Sequence, residues 1–270
     1  MKIHYLILLA GLGPGLLTGC LNGSSSSSDT PSPETQEPVA ESSQFRVLPY
    51  LQHPTESAIS VIWFTDKAVP GVLEVEGVGS FTSDPVLAEN LTYGDSEVAY
   101  IHGESNFSGI HADVVAGEAP VLPYRHHVRV EDLQAETQYD YVVKQAGNDA
   151  VAASLSTAPV RGARANVRFL AMSDMETEPE STRKTVAWSA ASLLPGDDKL
   201  GTDPTTVGRQ YPVDQTDGFR ANLEYATTRQ PNFWLIAGAL VEKGGRQLDW
   251  DEFWRHTAGE WGNFASSTPI

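Results

Sequence analysis

The sequence has 270 residues, of which 35 are acidic and 18 are basic, and its formal net charge at neutral pH is −17. A surface with this charge repels the phosphate backbone of nucleic acids, which argues against nucleic-acid binding. It also repels anionic lipid headgroups, which argues against membrane attachment through charge. Cys20 is the only cysteine, so no intrachain disulfide is possible and no thiolate remains to ligate a metal in the folded part.

The chain begins with the pattern of an export signal. Lys2 precedes an apolar stretch, residues 5–17, that is interrupted by glycines and too short to span a bilayer as a stable helix. The stretch ends in Leu17-Thr18-Gly19-Cys20. This ending resembles the lipobox of bacterial lipoproteins, in which the cysteine carries a diacylglycerol and the chain is cut at the bond before it. The resemblance implies a signal segment over residues 1–20 and an exported protein. Its anchor in the cell envelope, at the outer membrane or the cell surface, is then the lipid on Cys20. The alternative is an ordinary signal peptide that ends beside a cysteine.

Residues 21–44 have the composition of a tether. Five serines, Ser24 to Ser28, are followed by three prolines, and hardly any apolar side chain precedes Phe45. Such a segment buries too little apolar surface to offset the entropy of ordering it. We therefore expect a flexible linker between the membrane and the folded part.

From Phe45 the pattern changes to short β-rich runs separated by turn residues. Apolar residues alternate at Ile59, Val61 and Trp63, which predicts strands with one buried face. Six such runs within residues 45–158 are typical of a β-sandwich. The predicted strands are Arg46–Leu51, Ala58–Phe64, Gly71–Val75, Arg125–Val130, Tyr139–Gln145 and Ala150–Leu155.

One segment refines the sandwich prediction. Residues 133–139 resemble the Leu-x-Pro-x-Thr-x-Tyr corner of fibronectin type III domains, with Ala135 in place of the proline. The resemblance implies that the Tyr139 hydroxyl bonds back to the upstream backbone. Residues 49–63 are similar to the first two strands of the sandwich that precedes the catalytic domain in purple acid phosphatases.

A linker of small and basic residues, 158–165, separates this region from a different pattern. Buried strands are predicted over residues 167–172 and 233–237. Between them Asp217 is predicted to cap a helix whose apolar face carries Phe219, Leu223 and Ala226. Strand, helix and strand in this order predict a right-handed βαβ unit with parallel strands. We expect residues 165–270 to form the incomplete start of an α/β domain.

Two further expectations concern this second region. The residues Ser181–Leu194 suggest another helix, with a polar loop over Pro195–Thr216. Because a sheet with only two strands leaves apolar faces uncovered, Trp234 and Leu235 are expected to be exposed.

Ligands in an open parallel sheet collect beyond the carboxyl ends of the strands. Asp174 follows the first strand, in Ser173-Asp174-Met175-Glu176. Residues 238–245 follow the second strand and precede Trp250-Asp251-Glu252-Phe253. Both segments resemble motifs of the calcineurin-like metallophosphoesterases, Asp-x-His or Asp-x-Gly and Gly-Asp-x-x-Glu. With the sandwich included, the resemblance covers residues 45–270.

The resemblance implies hydrolysis of a phosphate ester by two divalent cations, which activate water and stabilise the phosphoryl oxygens. It makes Asp174 the candidate ligand of the first cation. An aspartate after a strand also commonly caps a turn, and that alternative stays open.

The sequence departs from the family pattern at three positions. Glu176 stands where a histidine or glycine is expected, Ala239 replaces the bridging aspartate, and Glu242 stands where purple acid phosphatases have a tyrosine. A methyl group cannot ligate a cation, so no catalytic residue is assigned. The later Gly-Asn-His and Gly-His-x-His motifs are absent, although Thr268-Pro269-Ile270 is similar to the start of the strand that precedes them. Five histidines are expected at surface or strand positions and not as ligands: His53, His102, His111, His126 and His127.

Two hypotheses follow. In the first, the chain is the amino-terminal part of a secreted, lipid-anchored phosphoesterase, and by itself it is inactive and does not hold cations stably. In the second, motivated by Ala239, it is a non-catalytic surface lipoprotein whose sandwich binds a partner or a glycan.

Overall fold

The structure is a computed structural model that describes residues 42–103, 120–175, 177, 185–187, 210–212 and 216–270. Cys20, the predicted signal segment and nearly all of the predicted tether lie outside these residues. Within the described ranges, no helix combines the length and the apolar character needed to cross a membrane.

Two four-stranded antiparallel sheets form the first region of the fold. The eight strands are β1 (Phe45–Gln52), β2 (Ile59–Thr65), β3 (Gly71–Val75), β4 (Gly79–Ser83), β5 (Val86–Leu87), β6 (Tyr124–Val130), β7 (Gln138–Gln145) and β8 (Val151–Ser156). The strand order is β1-β2-β6-β5 in the first sheet and β4-β3-β7-β8 in the second. The six predicted strands are confirmed to within one residue at each end, and β4 and β5 were not predicted.

The core of this sandwich lies between the two sheets. Ile59, Val61 and Trp63 of β2 are fully buried there, as the alternating pattern predicts, and they pack with Leu73 and Val143 from the facing sheet. Full burial of an aliphatic or aromatic side chain of this size contributes about 1.5–3 kcal/mol. The alternate residues of β2 are buried as well, so the expectation of a single buried face is wrong for this strand.

The corner predicted at Tyr139 is present. The backbone N–H of Gln134 donates to the Tyr139 hydroxyl at 2.8 Å, which is the upstream bond that the fibronectin-like pattern implies. Asp132 and Glu136 take left-handed backbone conformations in the same turn, with φ of 58° and 53°. The chain therefore changes sheets here without the proline that usually stands at position 135.

A helix that was not predicted, α1 (Asp95–Gly103), follows β5 and precedes β6, two neighbouring strands of the first sheet. The Glu97 carboxylate accepts a bond from the Gly94 N–H at 2.7 Å, which is the reciprocal half of a capping box. Its other oxygen accepts from the Leu248 N–H at 2.9 Å, at the start of a later helix. One buried glutamate therefore stabilises the first turns of two helices.

The second region contains the predicted βαβ arrangement. Strands β9 (Phe169–Met172) and β12 (Phe233–Ile236) are parallel and paired in register. Between them α2 (Thr216–Thr228) buries Phe219, Leu223 and Ala226, the three residues predicted for its apolar face. Asp217 lies inside the first turn and pairs with Arg220, so its predicted role as the cap is wrong.

The second predicted helix is contradicted where the structure describes it. Residues Thr185–Ala187 form strand β10, which pairs antiparallel with β11 (Gln210–Pro212) inside the predicted loop. β-Branched Thr185 and Val186 favour an extended backbone. The rest of Ser181–Leu194 lies outside the described residues.

The expected exposure of Trp234 is also wrong, although that of Leu235 is confirmed. Trp234 is 1% exposed because Phe264 packs edge-on against its ring at 5.4 Å and Phe253 lies at 6.2 Å. The backbone N–H of Trp234 donates to Pro269 O at 2.8 Å, so the segment that includes Thr268 to Ile270 lies beside β12. On the opposite face of the sheet, Leu235 remains 50% exposed.

The last elements of the chain pack against the sandwich. Helix α3 (Gln247–Thr257) is followed by a 3-10 turn over Phe264–Ser266. The Leu48 N–H donates to Ala258 O at 2.8 Å, and the Ser266 hydroxyl donates to Pro49 O at 2.6 Å. Ala258 and Ala265 share a buried cluster with Ile62 and Phe64. These contacts cover the second face of β2, and the described residues from 42 onward belong to one compact unit.

Candidate functional site

The carboxyl ends of β9 and β12 lie side by side. Ile236 is opposite Met172, the Ala237 N–H donates to Met172 O at 3.1 Å, and the Met175 N–H donates to Ala239 O at 2.9 Å. The structure therefore brings together Asp174 and position 239, the two places where the sequence motifs put cation ligands. Strand order alone explains this, because neighbouring parallel strands end at the same edge of a sheet.

Both residues have an unusual backbone conformation. Asp174 has φ of 55° and Ala239 has φ of 46°, which is the left-handed region. Aspartate and asparagine are enriched there, because a short polar side chain bonds to the local backbone, whereas alanine gains nothing to offset its steric cost. Position 239 thus has a backbone that suits an aspartate better than the alanine it carries.

Beyond these turns the two chain segments continue to pair. Thr177 forms a parallel bridge with Val241, and its hydroxyl donates to Leu240 O at 3.1 Å. The loop that follows is tied back by Asp249, which is fully buried. Its carboxylate accepts from the Lys243 N–H at 2.9 Å and pairs with Arg246 at 3.1 Å. The loop that follows Val241 is therefore held in place by hydrogen bonds and an ion pair to Asp249.

The described side chains at the strand ends do not by themselves make up a two-cation centre. Asp174 is exposed and accepts a hydrogen bond from the Ser173 hydroxyl. Ala239 offers only a methyl group, Glu242 is exposed, and Glu176 lies outside the described residues. Over the described ranges, no three histidine, cysteine, aspartate or glutamate side chains converge in a way that could hold a metal ion. Asp174 is thus the one candidate ligand among the described residues at the strand ends.

Helix α3 carries a buried ionic cluster that sequence reasoning missed. Arg255 donates to Glu252 at 2.9 Å and to Glu260 at 2.7 Å, and its guanidinium lies 3.8 Å from the centre of the Trp261 ring. The spacing of Glu252 and Arg255 indicates a charged pair on one helix face, but such pairs are usually exposed. This pair is buried, with the Trp261 ring packed over the Arg255 guanidinium.

Another buried acid of α3, Asp251, is bonded to the loop that precedes α1. The Tyr93 hydroxyl donates to the Asp251 carboxylate at 2.7 Å, and the Gln247 amide donates to its other oxygen at 2.9 Å. Burial and the adjacent Asp251 charge raise the pKa of Tyr93 far above its ordinary value, so the phenol stays protonated as a donor.

The described histidines contact residues other than Asp174 and Ala239. The ring of His256 packs between Phe219 at 4.8 Å and Trp261 at 4.7 Å in the interior of the second region. His53 is exposed, and His127 is an exposed β6 residue whose ring bonds to the Ser60 hydroxyl at 3.0 Å. His102 lies in α1, and His111 lies outside the described residues.

His126 is fully buried in β6 and not at the surface. Its ring stacks on Trp63 at 4.7 Å. The Thr65 hydroxyl donates to Lys67 O, so its oxygen accepts from Nε2 of His126 at 3.0 Å. Burial lowers the pKa of His126 from 6.5 to about 4, which keeps the ring neutral.

Comparison with known proteins gives similarity only at the level of structure. No protein-family model matches the sequence, and no curated protein matches it. A purple acid phosphatase from yellow lupin (Lupinus luteus) seeds is similar over 84% of this chain and 34% of its own, with 13% identity and a TM-score of 0.48. PhoD is similar over 53% of this chain and 24% of its own, with 16% identity and a TM-score of 0.32.

A third structure is similar to part of the chain. The Ig1-2 module of a Drosophila receptor protein tyrosine phosphatase matches 55% of this chain at 12% identity, with a TM-score of 0.23. The chain spans about a third of the length of the lupin enzyme and about a quarter of that of PhoD.

Proposed function

We propose that this chain is the amino-terminal part of a metal-dependent phosphoesterase. The observation that carries the proposal is the adjacency of the two strand ends, where Asp174 and position 239 both take the left-handed backbone conformation. Non-glycine residues in this conformation cluster at functional sites, where the surrounding structure maintains the strain. Asp174 is also the residue type that the first motif of the metallophosphoesterases requires at this place.

In this proposal the Asp174 carboxylate is a ligand of one of two divalent cations, and a phosphate ester is the substrate. The site is completed by groups that the described residues do not supply. Position 239 is where the family has its shared carboxylate, so its alanine weakens the hold on both cations. Loss of such a ligand reduces turnover by several orders of magnitude, and we expect the 270-residue chain alone to be inactive.

The same proposal includes export and attachment to the cell envelope through a lipid on Cys20. Two or more acyl chains hold a protein at a membrane firmly, whereas one holds it only reversibly. Fractionation of cells that express Cys20→Ser tests this part separately. We expect the variant to leave the membrane fraction, and its retention there would contradict the lipid anchor.

Hydrolysis of p-nitrophenyl phosphate tests the catalytic part. The purified chain, supplied with Mn²⁺, Zn²⁺ or Fe²⁺, should show no turnover above that of the metal alone. The informative comparison is a longer chain, read from the gene beyond Ile270, with and without Ala239→Asp. We expect Ala239→Asp to raise cation affinity and turnover, and Asp174→Asn to remove that gain. A longer chain in which neither substitution changes cation binding would contradict the assignment.

Ala239 favours one other function, a non-catalytic surface protein whose sandwich binds a partner or a glycan. The gene downstream of Ile270 separates the two. Gly-Asn-His and Gly-His-x-His segments there support the enzyme, and a stop codon supports the binding protein.

A further inference from the structure

A pocket of about 480 Å³ lies between the first sheet, the loop before α1, and α3 with the loop that precedes it. Its walls include Tyr50 from β1, Tyr93 from the loop, and Trp250 and Trp254 from α3. We propose that this pocket binds the ring of a neutral sugar. Asp174 and Ala239 are not among its lining residues, so the proposal does not depend on the phosphoesterase assignment.

The aromatic wall of the pocket is held in a fixed orientation. The Trp250 indole N–H donates to Gly244 O at 3.0 Å, and its ring packs edge-on against Phe253 at 6.2 Å. The rings of Trp254 and Tyr50 are in contact, with centroids 4.4 Å apart. Rings that are already oriented lose little conformational entropy on binding, and their faces suit the C–H face of a pyranose.

The polar wall is equally ordered. Asp251 lines the pocket and accepts from Tyr93 at 2.7 Å and from Gln247 at 2.9 Å, and Arg46 hydrogen-bonds to the same phenol. Asn90 is an exposed amide at the same pocket. The Asn90 amide offers both a donor and an acceptor to a polyhydroxylated molecule, and the Asp251 carboxylate, with two oxygens, offers further acceptor sites. An aromatic surface with a few convergent polar groups is the usual composition of a small-molecule site, and such sites enclose roughly 300–1,000 Å³.

Charge favours a neutral ligand over an anionic one. Two arginines line the pocket, but Arg246 is paired with Asp249 at 3.1 Å and Arg46 lies in the network around Asp251. The chain as a whole carries −17, which lowers the local concentration of phosphates and other anions. A sugar ring therefore suits the pocket better than a phosphate or a nucleotide does.

Quenching of tryptophan fluorescence tests the proposal, because two indoles line the pocket. The purified chain is titrated with glucose, galactose and N-acetylglucosamine, and with inorganic phosphate as the anionic probe. A ligand of this size is expected to bind with a dissociation constant of about 1–10 mM for at least one sugar. Phosphate should bind at least about tenfold more weakly, and stronger binding of phosphate would overturn the proposal.

Two variants locate the binding. Trp250→Ala removes an aromatic face and should weaken sugar binding about tenfold or more, and Asn90→Ala should weaken it by a smaller factor of about three. Asn90 is exposed, so its variant reports on binding even if Trp250→Ala fails to fold. The matched control is Tyr225→Ala, which removes an exposed aromatic ring outside the pocket and should change nothing. No binding of any of the three sugars at about 50 mM, or binding that Asn90→Ala leaves unchanged, would overturn the proposal.

Discussion

The two regions of this protein reach their buried cores by different routes. The sandwich buries side chains between two four-stranded sheets that belong to one continuous stretch of chain. Over the described residues of the second region the parallel sheet has two strands, and Phe169 and Leu235 on its open face are 53% and 50% exposed. The other face is closed by α2, α3 and the segment that follows α3. The comparison shows that a closed sandwich completes its own core, whereas a short parallel sheet relies on elements added later.

The end of the second region also makes direct contacts with the sandwich. The Tyr141 hydroxyl of the second sheet donates to Ser266 O at 2.7 Å, and Ile62 and Phe64 of the first sheet pack against Ala258 and Ala265. The end of the chain therefore covers part of the sandwich. We expect the two regions to unfold together.

The largest effect is expected from Trp234→Ala in the second region. Removing a fully buried indole leaves a cavity and should lower the free energy of unfolding by about 3–5 kcal/mol. Leu235→Ala is the matched control. It changes the neighbouring residue, which is half-exposed on the opposite face, and should cost less than about 1 kcal/mol. Urea denaturation followed by circular dichroism measures both. Equal losses would mean that Trp234 is not part of a buried core in the second region.

A pH-dependent effect is expected in the sandwich. The folded-state pKa of His126, about 4, lies below its ordinary value of 6.5. Burial of the neutral ring therefore contributes stability that is complete above pH 6.5 and is lost as the pH falls toward 4. A difference of this size corresponds to at most about 3 kcal/mol. His126→Phe keeps the ring stacked on Trp63 and should remove this part of the pH dependence.

Denaturation midpoints measured between pH 4 and pH 7 test the His126 prediction. His53→Asn, which replaces an exposed histidine with a residue that tolerates the local φ of 50°, is the control and should leave the pH dependence unchanged. A His126→Phe protein with the original pH profile would show that another group is responsible.

The link between the regions is tested by Tyr141→Phe. The substitution removes the donor to Ser266 O inside a buried contact and should cost about 1–2 kcal/mol. Tyr139→Phe removes a bond of similar length that stays within the sandwich. Amide hydrogen exchange distinguishes the two, because only Tyr141→Phe should increase exchange in residues 258–270. If both variants increase the exchange of residues 258–270 equally, the bond from Tyr141 to Ser266 does not specifically connect the two regions.

The smallest effect concerns the strained strand end. Ala239→Gly should stabilise the protein by about 1 kcal/mol, because glycine adopts a φ of 46° without steric cost. Ala237→Gly lies two residues earlier, outside the left-handed region, and should instead destabilise slightly. Thermal unfolding of the two variants provides the comparison. A loss of stability in both would mean that position 239 does not hold the left-handed conformation.

The sequence was sufficient where a local pattern leaves one solution. Alternating apolar residues located six strands, the corner at Tyr139 followed from its motif, and helical spacing found the face with Phe219, Leu223 and Ala226. The adjacency of Asp174 and Ala239 followed from chain topology, because parallel neighbours end at one edge. The prediction missed α1, whose Glu97 also bonds to the distant Leu248 N–H, and it assigned a helix where β-branched Thr185 and Val186 favour strand β10.

Tertiary structure decided everything that depends on residues far apart in sequence. Three properties depend on the residues that pack over each site. They are the burial of Trp234, the burial of both faces of β2 and the neutral state of His126. The ionic cluster of α3 and the aromatic pocket are assembled from distant segments that no spacing rule connects. The sequence by itself determined the strands, one helix and the residues at the strand ends, because backbone preference and apolar periodicity act over a few residues. Burial and electrostatic environment are properties of the folded whole, and these properties decide what each side chain can do.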